Sequence, residues 1–363
     1  LPLFKHYPEQ NIFAPADYAS GCRILLAGST FHVTTHNILT CSAAHGHCAV
    51  IPRHDQRGNI GEIWKLLEMY KVNSSCMLSS TLYALLKHGQ SIDGNHARTI
   101  FITGELIPCE LTRKFMKLMA NGVNNRSAEH LMKIINFYGT TESEVIAFSD
   151  PISIHCHDDA DLHDKIMTLR KIDGIELRVN NEEESELEIA TPCLMTEYYR
   201  NVEKTQQAIS YDEHDRNKRW YLVGEKVKFL DARNESFVIQ ARNKDIFITD
   251  GSNCYPAVIE DVILKHDLVN GAVVIGVSYQ QIYTDDEVPG LDEPVAFVTL
   301  EAHNKEESAV VAEILHLCEK HLQAAMGEIP FKVFVVEDIP KTANGKILRD
   351  ELKNMAVEHF KTL

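Results

Sequence analysis

Between Leu1 and about Asp245, short apolar runs alternate with amphipathic helical stretches, and this alternation narrows the fold more than any other feature. Apolar runs separated by crossover helices predict an α/β architecture built on a parallel sheet. Ile60, Ile63, Trp64, Leu67 and Tyr70 recur at helical spacing. Ser80 to His88 predicts a second helix closed by Gly89. Leu111, Phe115, Leu118 and Met119 mark one face of another, stopped by Asn121-Gly122. The runs Thr99–Ile102 and Ile134–Tyr138 read as strands. The first ends in Gly104-Glu105, and the second breaks into the turn Gly139-Thr140-Thr141-Glu142. Trp220 to Asp245 alternates like antiparallel β structure, whereas the acidic run from Asn180 to Glu188 reads as a solvated turn between short strands.

After Asp245 the pattern changes. Strand-like Ile246–Thr249 leads to a helix around Ala257–Lys265. Strands at Ala272–Val277 and Val295–Leu300 follow, then a helix near Ala309–Leu322, strand Lys332–Val336, and a last helix from Ile347 toward Phe360. That β-α-β-β-α-β order predicts a small α+β domain over 245–363, set apart from a larger one over 1–244.

A length of 363 residues with 44% hydrophobic side chains supports cores of this size. The net charge of −16 argues against a nucleic-acid partner, which calls for a basic face. No apolar run approaches the ~20 residues of a membrane span. No charged-then-apolar leader opens the chain, which begins at Leu1 and so reads as a fragment or processed piece. The nine cysteines are odd in number and form no CxxC pair, which suits reduced thiols and a cytoplasmic setting. The clusters His45-Gly46-His47-Cys48 and His155-Cys156-His157-Asp158-Asp159 lack a second ligand pair at zinc spacing and read as ordinary strand and loop residues.

Several segments carry more specification than folding requires. Pro340-Lys341-Thr342-Ala343-Asn344-Gly345-Lys346 puts a lysine on a small-residue turn before a helix, where a backbone can approach a ligand and Lys346 offers a point charge. Tyr138-Gly139-Thr140-Thr141-Glu142 sits where a strand ends, the place at which open α/β sheets bind ligands; it suits a nucleotide, or simply a polar turn. Tyr221 to Glu225 and Ala241 to Asp245 put Glu225 and Arg242 where they suit ribose hydroxyls or form a surface ion pair. Gly251 to Pro256 opens a helix and needs no more than a structural reading. Phe31-His32 suits a pocket wall or a satisfied histidine.

Together and in this order, these segments resemble the adenylate-forming superfamily, which includes acyl-CoA synthetases, fatty acyl-AMP ligases, luciferases and the adenylation domains of peptide synthetases. Tyr138 to Glu142 resembles the family's Tyr-Gly-x-Thr-Glu motif, and Ser185-Glu186-Leu187 through Tyr198-Tyr199 its Gly-Glu-Leu…Gly-Tyr segment. Tyr221 to Glu225 is similar to the Thr-Gly-Asp segment, Ala241 to Asp245 to Gly-Arg-x-Lys-Asp, and Pro340 to Arg349 to the last motif. The resemblance implies that Tyr138 and Gly139 face adenine, with Thr103, Gly104 and Glu105 on its other side. It implies Thr141 at the α-phosphate, Glu142 on Mg²⁺, and Glu225 and Arg242 on the ribose. Lys244 would be a hinge, Lys346 the lysine that meets carboxylate and phosphate oxygens, and His32 the mouth of the acyl pocket. The implied reaction joins a small-molecule carboxylic acid to ATP, giving acyl-AMP, with transfer to CoA or to the phosphopantetheine of an acyl or peptidyl carrier protein.

The departures from the pattern are specific. The family's Ser/Thr/Gly-rich phosphate loop is not found and, from motif order, belongs upstream of Leu1. Val223 replaces the usual Thr, Glu225 the usual Asp and Ala241 the usual Gly. These changes keep a second reading in view, a catalytically degenerate member that uses the fold as a binding or interaction module.

Overall fold

The computed structural model describes residues 22–27, 32–44, 46–53, 56, 59–88, 99–103, 109–120, 133–153, 159–180, 186–242, 245–249, 252–278, 292–301, 305–322, 329–330, 332–342 and 345–361. The chain divides into two compact units. One comprises Leu1–Ser79, His88–Ile107 and Met116–Gln240; the other comprises Ser80–Lys87, Pro108–Phe115 and Ala241–Leu363. None of the described helices is long and apolar enough to cross a membrane.

The chain begins with the expected alternation: β1 (Arg23–Leu26), α1 (Val33–Ala44), β2 (Cys48–Val50), α2 (Ile60–Met69), β3 (Ser74–Leu78), α3 (Ser79–His88), β4 (Thr99–Thr103), α4 (Cys109–Ala120) and β5 (Lys133–Thr140), with most of α3 and the first half of α4 counted in the second unit. These strands pair in parallel in the order β2-β1-β3-β4-β5. β4 is buried along its whole length, as an inner strand covered on both faces requires. α2 starts at Asn59, whose side chain accepts the Glu62 N–H, and buries Ile63, Trp64, Leu66 and Leu67.

At β5 the sheet changes character. β6 (Glu144–Ser149) and the short β7 (Ile152–Ser153) both pair with β5 in the antiparallel sense. After α5 (Asp159–Met167), the remaining strands of this unit are β8 (Leu169–Lys171), β9 (Glu176–Val179), β10 (Glu186–Ala190), β11 (Ile209–Tyr211), β12 (Arg219–Phe229) and β13 (Ser236–Arg242), with α6 (Val202–Ala208) ahead of β11. They extend the sheet as β5-β6-β8-β13-β12-β10-β9. Phe137 of β5 packs edge-on against Phe101 of β4 and tilted against Phe148 of β6, with ring centroids 6.2 and 6.1 Å apart.

Two expectations are corrected here. The strand at Ile134–Tyr138 does not break at Gly139: Gly139 and Thr140 still pair with Val145 and Glu144, and the turn is confined to Thr141–Ser143. The acidic run ending at Glu188 is not all solvated turn, because Glu186–Glu188 begin β10. Alternation buries Leu187 and Ile189, and the buried Glu188 accepts from Arg178 Nε at 2.6 Å. The Arg178 guanidinium also lies 4.0 Å from the Trp220 ring centroid, and Trp220 Nε1 donates to Asp212 at 2.9 Å. Trp220 is thus clamped on one face of β12, which holds its neighbour Tyr221 on the other.

The second unit has its own core. β14 (Phe247–Thr249) and β15 (Ser252–Cys254) form a separate two-stranded ribbon, so the first strand of the expected β-α-β-β-α-β series does not join the main sheet. α7 (Pro256–Ile263), which opens with proline in its first turn, leads to β16 (Val269–Ser278). β17 (Asp292–Leu300) pairs antiparallel with β16 and parallel with β18 (Lys332–Val335). α8 (Glu307–His321) lies between β17 and β18 in the chain. Leu352 and Ala356 of the last helix, α9 (Arg349–Lys361), pack on Val273, Ile275, Val277 and Phe297. One polar network crosses this core. Glu260 of α7 accepts the Val274 N–H at 2.9 Å and Arg349 Nη2 at 3.2 Å, while Arg349 Nη1 donates to the Val274 carbonyl at 2.7 Å. Burial raises the Glu260 carboxyl above its usual range, and Arg349 pulls it back.

Two predictions follow from this packing. A Cβ on Gly139 would lie 2.2 Å from the Glu144 carbonyl oxygen and 2.7 Å from Val145 Cα. Gly139→Ala should cost about 3 kcal/mol in urea unfolding, because backbone rather than a side-chain tip must yield. Arg349→Ala leaves Glu260 buried without its counter-charge and should cost about 3 kcal/mol at pH 7. A carboxyl whose folded pKa is raised contributes stability at low pH that is lost as pH rises through that pKa. The Arg349→Ala deficit, followed by thermal unfolding across pH, should therefore shrink toward pH 4; a deficit constant with pH counts against the assignment.

Candidate active site

Thr103 closes β4 and Thr140 closes β5, at the carboxyl ends of neighbouring parallel strands. This edge of an open α/β sheet is where ligands bind. The site starts from the β5–β6 hairpin. Gly139 lets the two backbones close up; Glu144, opposite Thr140 at the start of β6, adopts a positive φ of 61°, and the register shifts further along, between Tyr138 and Gly139. The turn leaves Thr141 exposed and Glu142 half-buried. Ser143 is buried and donates its N–H to Thr140 Oγ1 at 3.2 Å.

Glu142 is held at two points by a segment more than fifty positions later in the chain. Its carbonyl accepts the Met195 N–H at 2.7 Å, and its Oε1 accepts the Tyr198 hydroxyl at 2.8 Å. The Tyr221 hydroxyl lies near those of Tyr198 and Thr140, and Thr140 Oγ1 is 2.9 Å from the Ser143 hydroxyl. Burial raises the pKa of both tyrosines, and the Glu142 charge raises it further, so both remain protonated donors at neutral pH. Tyr198 is anchored by its own segment. Its N–H donates to Thr205 Oγ1 at 3.0 Å, Thr205 Oγ1 donates to the Asn201 carbonyl at 2.8 Å, and Lys204 Nζ lies 4.5 Å from the ring centroid. The Asn201 side chain caps α6 by accepting the Lys204 N–H at 3.0 Å.

The other residues singled out from the sequence fall as follows. The Tyr138 ring is buried, edge-on to Phe237 at 6.1 Å between centroids. Thr103 is also buried. Glu225 follows Gly224, whose φ of +81° sits in a register shift between β10 and β12; such bulges re-aim a strand's side chains. Glu225 is 5% exposed, more enclosed than a residue that grips a ligand from the surface. His32 is half-buried at the start of α1, where its Nδ1 accepts the Thr34 N–H at 3.3 Å. That contact is a helix cap and holds the imidazole with Nδ1 unprotonated. Gly104, Glu105 and Lys244 lie outside the described residues, as does the side chain of Arg242.

Lys346 belongs to the second unit and is exposed. Its loop is tightly tied: Lys346 N–H donates to Thr342 Oγ1 at 3.1 Å, the Thr342 N–H to the Lys346 carbonyl at 2.7 Å, and the Gly345 N–H to the Thr342 carbonyl at 2.8 Å. Gly345 takes a φ of +84°, a conformation that strains other residues. The backbone under Lys346 is thus fixed while its side chain reaches outward.

The chemistry on offer in the first unit is that of hard oxygen. A half-buried, hydrogen-bonded carboxylate beside an exposed threonine hydroxyl suits Mg²⁺, which keeps several waters and is held through one or two carboxylates together with phosphate oxygens. The sequence did not single out the side chains of Tyr198 or Tyr221 for a role. The aromatic pair Tyr198-Tyr199 was the available signal, and only the fold shows that Tyr198 turns to Glu142 while Tyr199 is 82% exposed.

Known proteins share sequence features and the fold with this chain. The family model described as AMP-binding enzyme matches residues 8–199, and that described as AMP-binding enzyme C-terminal domain matches residues 258–346. A 2-succinylbenzoate–CoA ligase from Listeria monocytogenes is 28% identical over 332 residues, covering 91% of this chain and 60% of the relative. A mitochondrial medium-chain acyl-CoA ligase from Mus musculus is 28% identical over 275 residues, 75% of this chain and 40% of that one. The solved structure of the O-succinylbenzoate coenzyme A synthetase from Bacillus subtilis, in complex with ATP and magnesium ion, superposes with a TM-score of 0.63 at 21% identity, covering 92% of this chain and 61% of that one. The chain therefore spans less than two thirds of each of these relatives, and over that span it belongs to the AMP-binding enzymes of the adenylate-forming superfamily.

Proposed function

We propose that this chain forms the C-terminal part of a ligase that activates a carboxylic acid with ATP. The observation that carries the reading is Glu142 at the carboxyl edge of the parallel strands, its carboxylate held by the Tyr198 hydroxyl and its backbone carbonyl by the Met195 N–H. In the reaction, a carboxylate oxygen of the acid attacks the α-phosphorus, the bond to the β-phosphate bridging oxygen breaks, and acyl-AMP and pyrophosphate result. A thiol then attacks the acyl carbon and AMP leaves. The relatives' names favour CoA as the acceptor; a carrier-protein phosphopantetheine is the alternative. The acid itself is a small acyl or aryl-acyl carboxylate, and the setting is cytoplasmic.

An acid and a triphosphate repel each other, so charge must be neutralised where it builds up. Mg²⁺ would supply that neutralisation when bound, with Glu142 as the residue that would hold it and Thr141 at the α-phosphate. Tyr138, Gly139, Thr103, Gly104 and Glu105 are assigned to the adenine, and Glu225 with Arg242 to the ribose. His32 is assigned to the acyl pocket. Lys346 carries the ammonium that meets the carboxylate and phosphate oxygens. We divide the chain at Lys244, with 245–363 as a mobile lid; a lid delivers its lysine only for the step that needs it.

The enclosure of Glu225, longer by a methylene than the aspartate it replaces, favours a second reading. In that reading the fold has lost its grip on ribose and serves as a binding module. One assay separates the two: ATP–pyrophosphate exchange by the full-length protein across a panel of acids. Acid-dependent exchange supports the ligase, and its absence supports the module. Lys346→Ala should lower exchange at least about a hundredfold while leaving the unfolding temperature unchanged, since the side chain is exposed. Exchange at the wild-type rate would refute the role given to Lys346.

A further inference from the structure

The geometry points to Tyr198 as a positioning residue, which acts through Glu142 to set the affinity of this site for Mg²⁺-bound nucleotide. The inference rests on the ligase reading above, and it assigns a role to a residue that touches neither nucleotide nor metal in that reading. Among the described residues, Oε1 is the Glu142 carboxylate oxygen that carries a hydrogen bond, and its donor is the Tyr198 hydroxyl at 2.8 Å. Tyr198 gives its one hydroxyl proton to Glu142.

This contact does two things to the carboxylate. It removes the rotational freedom of the side chain, leaving Oε2 in one orientation for a cation. It also keeps a neutral donor on Oε1, so the negative charge is not cancelled as it would be by a lysine or arginine. Outer partners of metal-holding carboxylates typically change metal affinity by about 10–100-fold when removed. Tyr198 is itself fixed by Thr205 and lies under Lys204, so its ring stays in place without the hydroxyl.

The test uses Tyr198→Phe in the full-length protein and titrates ATP, without acid, by calorimetry in the presence of Mg²⁺ and again in EDTA. Wild type should bind ATP more tightly with Mg²⁺. Tyr198→Phe should lose about tenfold of that Mg²⁺-dependent gain while its affinity in EDTA stays within twofold of wild type. Equal weakening in Mg²⁺ and EDTA would mean that Tyr198 merely supports the fold, and an unchanged gain would mean that it does not position Glu142; either overturns the inference and leaves the ligase reading intact. A wild-type protein whose ATP affinity ignores Mg²⁺ overturns the ligase reading, and the inference with it.

Discussion

Strand β5 is the constraint on which the first unit depends. On one side it continues the parallel β2-β1-β3-β4 array, and on the other it pairs with the antiparallel β6. Its first half, Lys133–Asn136, pairs with β4 and its second half, Phe137–Thr140, with β6, and at Gly139 this second neighbour comes closer than any side chain permits. The same close approach shapes the hairpin turn that carries Thr141 and Glu142. Fold and candidate site therefore share one residue: what lets the two halves of the sheet join also determines where the carboxylate emerges.

Around that turn, the structure brings together segments that are far apart in the chain. Met195 and Tyr198 come from the stretch after β10, and Tyr221 from β12, where Trp220 is gripped between Arg178 and Asp212. Each link is modest, since a neutral hydrogen bond contributes about 1 kcal/mol. Their joint effect is orientation rather than stability. A carboxylate that is already aimed loses less freedom when it takes up a cation, and for that reason a structural scaffold of tyrosines and a threonine bears on function.

The second unit solves a parallel problem with charge instead of hydroxyls. Glu260, Val274 and Arg349 tie α7, β16 and the start of α9 into one block. The Lys346 loop ends three residues before Arg349, and its own backbone is closed by Thr342 and Gly345. An exposed lysine on a rigid base is well suited to deliver charge, because its stem supplies the reach and the base supplies the aim.

Much of this was legible from the sequence. Alternating apolar runs and helical periodicity are local properties of a strand or helix, and they set the α/β class, the element order and the change of pattern near Asp245. The motif at Tyr138–Glu142 and the lysine turn at Lys346 were visible because glycine, proline and charge at set offsets are local too. Tertiary structure decided what depends on neighbours distant in sequence. It kept Gly139 and Thr140 inside a strand, since β6 was there to pair with them, and it buried Glu188 against Arg178. It turned His32 into a helix cap, and of two adjacent tyrosines it chose Tyr198 to face Glu142. A hydrogen bond acts over about 3 Å, and no spacing along a chain reports which groups folding will bring within that distance.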